Sequence, residues 1–234
     1  MNNNSSLHHN ALASAMSEQP SLSLNWYSFG MTLRKRDGDV VTEYPVSPEQ
    51  AASALAAKMT ITTGLLSADT LYVWQEGGTQ AVAEYRKPQL TGVFLEGSET
   101  AVRVPLPGMV LIRVTRHQQR PDYKLYAVKR RPKTLDTALY YAPIPNVFTS
   151  GGICWGTVER VSDDALTGVS LAEGWAQLLG SPFGSHACSG KSKTHRDDVR
   201  KQLIALEAAG KKRYPTTDLI AAKAKLSAAL AVRS

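Results

Sequence analysis

The sequence predicts an α+β fold: an antiparallel meander sheet flanked by helices, with an N-terminal hairpin extension and C-terminal helices. Three observations predict it. Between residues 70 and 129, runs rich in β-branched and aromatic residues alternate with Gly- and Pro-containing turns. Ser47-Pro48-Glu49-Gln50 stands ahead of an Ala-rich stretch and reads as a helix start. Leu171, Trp175, Leu178 and Leu179 recur at helical spacing, and further leucines follow in the last forty or so residues.

In chain order, residues 1–20 are rich in Asn and Ser without periodicity and read as a disordered tail. Residues 21–34 and 39–44 read as two strands joined by a polar turn at Asp37-Gly38. Ser47 caps the next helix, Pro48 takes its first position and Gln50 completes a capping box; the helix runs to about Met59. Strands follow at 71–74, 79–85, 101–104, 109–114 and 123–128. Glu76-Gly77-Gly78 joins the first two, and Pro105-Leu106-Pro107-Gly108 forces an extended corner between the third and fourth. Residues 134–142 form the last strand, 170–179 a short helix, and two closing helices run from about 194 to Ala209 and from Pro215 to Val232. The expected organisation is a tail over 1–20 and one domain over 21–234. Within that domain, 21–69 holds the hairpin and helix, 70–190 the core sheet and the chemically informative segment, and 191–234 the C-terminal helices.

With 234 residues and 43% hydrophobic content, the chain is long enough to bury a proper core. No apolar run reaches the length of a membrane span, and the N-terminus lacks the pattern of a signal peptide, so a soluble cytoplasmic protein is expected. Two cysteines, Cys154 and Cys188, are expected to be reduced there. Cys188 with His186 and His195 offers only three metal ligands and no obvious fourth, so no metal is assigned. The net charge of +7 is matched by one stretch, residues 113–133, with eight Arg and Lys against Asp122 alone. Such a stretch fits an acidic partner, a nucleic-acid backbone, or a solvated strand edge.

The chemistry concentrates in Pro145-Asn146-Val147-Phe148-Thr149-Ser150-Gly151-Gly152-Ile153-Cys154, where an Asn precedes a Cys by eight residues across a Gly-containing turn. Two prolines remove backbone donors just upstream, so Cys154 is expected on an irregular, accessible segment. The segment resembles the active site of ubiquitin-conjugating enzymes, in which a His-Pro-Asn triplet precedes, by the same spacing, the Cys that carries ubiquitin as a thioester. Pro145, Asn146 and Cys154 match; Ile144 replaces the His, and Trp155 stands where a Leu is usual. Leu178-Leu179-Gly180-Ser181-Pro182 resembles the Leu-Leu-x-x-Pro that closes the helix after the catalytic Cys. The resemblance covers about residues 122–186.

What the resemblance implies is a transferase working through a cysteine thioester, with no cofactor of its own. Cys154 is the nucleophile, whose thiolate attacks an activated thioester and later yields the acyl group to an amine. Asn146 stabilises the oxyanion or braces the loop. His186 falls where many such enzymes carry an acidic residue near the incoming lysine, and a histidine there keeps a general base for neutral pH. The departures mark a divergent bacterial branch, similar to protein B of the PRTRC cassettes, which are plasmid- and island-borne gene sets. Such cassettes also encode a ThiF-like activating enzyme, a small ubiquitin-like protein and a JAB-type metalloprotease, and these are the implied partners. Two other readings stay open from residues alone: a silent module that binds a ubiquitin-like protein, and a basic DNA-associated protein of a plasmid maintenance cassette. No phosphate-binding loop appears, since Gly184 to Lys191 lacks its spacing.

Overall fold

A computed structural model describes residues 21–52, 63, 65–76, 79–116, 119–156, 158 and 169–231. The expected tail over 1–20 and the helix beyond residue 52 lie outside the described residues. The chain forms two compact units, 1–62 and 63–234.

In the first unit, β1 (Leu22–Tyr27), β2 (Gly30–Asp37) and β3 (Val40–Val46) form an antiparallel sheet in that order. The turn at Asp37-Gly38 is as expected, with Asp37 opposite Val40 and Gly38 at φ 60°. The single strand expected over 21–34 is instead a second hairpin, Tyr27 lying opposite Gly30. Gly30 adopts φ 142°, open to glycine alone at little cost, and the alternation of side chains resumes beyond it, so the sequence pattern hides the reversal. At residues 48–52 the chain turns helical, and the capping box forms. The Ser47 N–H donates to Gln50 Oε1 (2.9 Å) and the Gln50 N–H to Ser47 Oγ (3.2 Å).

The second unit is built on a six-stranded antiparallel sheet of β4 (Thr70–Glu76), β5 (Thr79–Arg86), β8 (Gly108–Arg116), β9 (Asp122–Val128), β10 (Ala138–Tyr141) and β12 (Ala221–Lys225). Its order is β12-β10-β9-β8-β5-β4. Between β5 and β8 the chain leaves this sheet. β6 (Gln89–Leu95) and β7 (Val102–Leu106) make a hairpin, and β11 (Pro182–Phe183) adds to β6 in parallel. The Pro-rich corner therefore moves the chain from one sheet to another.

Three helices complete the unit: α1 (Ala172–Gly180), α2 (Val199–Ala208) and α3 (Leu226–Leu230). β8 is buried from Gly108 to Val114, which its continuous apolar run already implies. Met109 and Leu111 point to one core, shared with Trp175, Leu178, Leu203 and Phe183, while Val110 and Ile112 point to another, shared with Leu226, Ala229 and Leu230. Hence α1 and α2 cover one face and α3 the other. Asp198 caps α2 by accepting from the Arg200 N–H (2.9 Å), and Gly210 follows its end at φ 60°.

Two expectations fail at the C-terminal side. The strand over 134–142 shortens to β10 and is not the last, because β12 pairs outside it. Residues 215–232 are not one helix. Residues 221–225 form a strand in which Ala222 and Ala224 are half-buried while Lys223 and Lys225 face out. The open edge of β10 takes up this backbone, and that tertiary demand overrides the helix preference of alanine.

Candidate active site

The segment from Ile144 to Cys154 follows β10 and runs alongside the end of β9. Val147 bridges Ile153, the Phe148 N–H donates to Gly152 O (2.8 Å), and the Leu125 N–H donates to Gly151 O (2.8 Å). Gly151 is required here twice over. Its φ is 88°, and a Cβ on it would lie 2.3 Å from Cζ of Tyr126, whose hydroxyl donates to Ser150 O.

Asn146 ties this hairpin to its surroundings. It sits at φ 58°, a conformation that Asn tolerates better than most residues. Its carbonyl accepts from the Cys154 N–H (2.7 Å), which closes the eight-residue interval into one loop. Its own N–H donates to His186 O (2.9 Å), and its side-chain Nδ2 donates to Pro182 O (3.0 Å). One residue thus fastens the Cys154 loop to the chain that follows α1. Of the two roles expected for Asn146, loop support is the one these bonds perform.

Cys154 is half-buried, outside any helix or strand, and the Trp155 ring packs edge-on against Tyr123 (5.4 Å between centroids). Cys154, Asn146 and His186 line one cleft of about 390 Å³. Its walls are largely apolar, formed by Ile153, Trp155, Leu178, Pro182 and Phe183. His186 is exposed, with its ring edge-on to Phe148 at 5.3 Å. The three residues picked out by sequence spacing therefore meet in space. Ile144, which stands where the motif His is expected, is fully buried in the core.

Cys188 has a different setting from Cys154. It is buried, its thiol donates to Gly184 O (3.5 Å), and burial, reinforced by Asp198, pushes its pKa up. Among the described residues, no three His, Cys, Asp or Glu side chains gather as a metal site would require.

Two residues of this neighbourhood carry no signal in the sequence. Glu96, just past β6, lines the same cleft, brought there by the parallel pairing of β6 with β11 and the Glu96 N–H donating to Phe183 O (2.9 Å). Lys191 is buried, with its Nζ donating to Ile144 O (2.7 Å) next to the Pro145-Asn146 pair. Burial pushes its pKa down to about 8.

The basic stretch is only partly exposed. Arg113 is buried and bonds Gln80 (3.0 Å), Arg116 pairs with Asp122 (2.8 Å), and Lys124 reaches Ala229 O (3.2 Å). Lys129 lies over Tyr140, and Arg131 lies over Tyr85 and pairs with Asp69. No helix of the described residues is long and apolar enough to cross a membrane.

No curated protein and no solved structure matches the chain. The family model of prokaryotic E2 family D does, over residues 48–222, more than half of the chain and a span that includes the whole cleft. With an α+β fold of mostly antiparallel sheets, and an Asn and a Cys placed by one loop at a cleft, the chain belongs to prokaryotic E2 family D, a ubiquitin-conjugating-like family.

Proposed function

We propose that the protein is an acyl carrier: Cys154 accepts the C-terminus of a ubiquitin-like protein as a thioester from a ThiF-type activating enzyme and passes it to an amine. The observation that carries this reading is the contrast between the two thiols. Cys154 opens on a cleft beside Asn146, whereas Cys188 is buried and held less acidic. In the first step the Cys154 thiolate attacks the incoming thioester carbonyl and the donor thiol leaves. In the second, an amine attacks the Cys154 thioester and Cys154 departs. Asn146 keeps the loop in place through both steps, and His186 accepts a proton from the amine. Within bacteria, a cassette of PRTRC type is the setting that supplies such an activating enzyme, a ubiquitin-like protein and a JAB-type protease.

The test is adduct formation with activating enzyme, ATP and ubiquitin-like protein, followed on non-reducing gels. Wild type and Cys188→Ala are expected to give a reductant-sensitive adduct, and Cys154→Ala none. Cys154→Ser is expected to trap a longer-lived oxyester. An adduct that survives Cys154→Ala and disappears with Cys188→Ala overturns the assignment.

A further inference from the structure

Lys191 is 1% exposed, and among the described residues no carboxylate pairs with it; its Nζ donates to a neutral acceptor, Ile144 O, at 2.7 Å. An ammonium taken out of water beside a neutral carbonyl costs stability that an apolar side chain of similar length does not. Burial alone therefore gives no reason for a lysine here, and the bond it makes does. The Ile144 side chain is apolar and Pro145 has no N–H, so Ile144 O is a polar handle immediately ahead of Asn146. The lysine is anchored at its other end. The Gly190 N–H donates to Arg196 O (2.8 Å), and the fully buried Ser192 donates from Oγ to Asp218 Oδ1 (3.0 Å). Lys191 thus reaches Ile144 from a backbone that is fixed on both sides.

We propose that Lys191 is a positioning residue for the reaction at Cys154: by holding the Ile144 carbonyl it sets Asn146, and through Asn146 the place of Cys154 in the cleft. The inference rests on Cys154 carrying a thioester and names a further residue on which the reactivity of that thioester depends. Three bonds converge on Ile144-Pro145-Asn146 from residues 182–191: Lys191 Nζ to Ile144 O, the Asn146 N–H to His186 O, and Asn146 Nδ2 to Pro182 O. The first is the charge-assisted one, and bonds of that kind are the stronger. Asn146 passes the constraint on, because its carbonyl accepts from the Cys154 N–H (2.7 Å). Lys191 is not among the residues lining the cleft, so it works through Asn146 and not on the reacting atoms. Without the ammonium, Ile144 O loses this donor, the segment relaxes, and Cys154 and Asn146 move together. A displacement of about 1 Å at a reacting group slows a reaction by up to about a hundredfold.

A double-mutant cycle separates positioning through Asn146 from general support of the fold, because general support lowers the rate by the same factor whatever stands at 146. The experiment preloads Cys154 and follows single-turnover discharge to free lysine at pH 7 in wild type, Lys191→Met, Asn146→Ala and the double variant, each shown to be folded by circular dichroism. Lys191→Met keeps the length and removes the donor. It is expected to slow discharge about thirtyfold in the wild-type background and about threefold in Asn146→Ala, a tenfold coupling. Lys191→Gln, which returns a neutral donor, is expected to fall between wild type and Lys191→Met, and takes the place of Lys191→Met in the cycle if that variant does not fold. In loading, the activating-enzyme concentration at half-maximal rate is expected to be unchanged by Lys191→Met while the maximal rate falls. Equal factors in the two backgrounds, or a wild-type rate for the Lys191 variant, overturns the proposal and leaves the thioester reading intact. Absence of any loaded species in wild type overturns the thioester reading itself, and this inference with it.

Discussion

Lys191 places an ammonium where water does not reach it, and its partner is the carbonyl of Ile144, next to the Pro-Asn pair. Burial lowers its pKa from 10.5 to about 8, so between those values the unfolded chain holds a proton that the folded chain has lost. Stability contributed at this site is therefore lowest below pH 8, where the charge is buried, and rises as pH climbs towards 10.5, by up to about 3 kcal/mol. Other groups of the unfolded chain ionise in the same window, an exposed phenol near 10 among them, so the measurement is a difference. Urea unfolding of wild type and Lys191→Met from pH 7 to 10.5 is expected to show the gap moving in favour of wild type as pH rises. A gap independent of pH would mean that the ammonium is not desolvated in the folded state. Lys191 and Glu96 were illegible in the sequence because each meets its partners across a long stretch of chain. Asn146 and Cys154 were legible because one hydrogen bond closes the loop between them, and a fixed loop leaves a fixed spacing.

The hairpin that carries Cys154 depends on contacts that a spacing rule does not contain. Gly151 faces the Tyr126 ring at a distance no side chain allows, in a backbone conformation that costs other residues about 1–3 kcal/mol. Gly151→Ala is expected to lose about 2–4 kcal/mol in a urea titration, through that strain and the displaced ring. Tyr126→Phe, which keeps the ring and removes only the hydroxyl bond to Ser150, is expected to lose about 1 kcal/mol. A Gly151→Ala loss no larger than that of Tyr126→Phe would mean that Tyr126 swings aside without penalty. Elements show the same division between local and distant signals. β8 and α1 were legible because their apolar patterns are long and regular. β6, interrupted by Gly92, and β12, an Ala-Lys stretch, exist because neighbouring strands offer an edge, which no local pattern records.

Across the whole molecule, the sequence groups residues 21–234 into one domain, while the chain divides into two compact units, 1–62 and 63–234. Every residue that the proposed function uses, Cys154, Asn146 and His186, belongs to the second unit, and so do both hydrophobic cores. The described part of β1-β2-β3 leaves Leu22, Leu24, Trp26, Val40 and Tyr44 exposed and so buries little apolar surface of its own, but a six-stranded sheet covered on both faces has what a self-standing fold needs. A fragment comprising residues 63–234 is therefore expected to unfold in a single cooperative transition and to form the Cys154 adduct with activating enzyme and ATP. Circular dichroism across a urea titration checks the first expectation and the non-reducing gel the second. A fragment that does not fold would show that residues 21–62 are part of one cooperative domain with the rest, as the sequence groups them. A fragment that folds yet fails to load would assign the first unit to docking the activating enzyme, since the nucleophile and its loop would be intact without it.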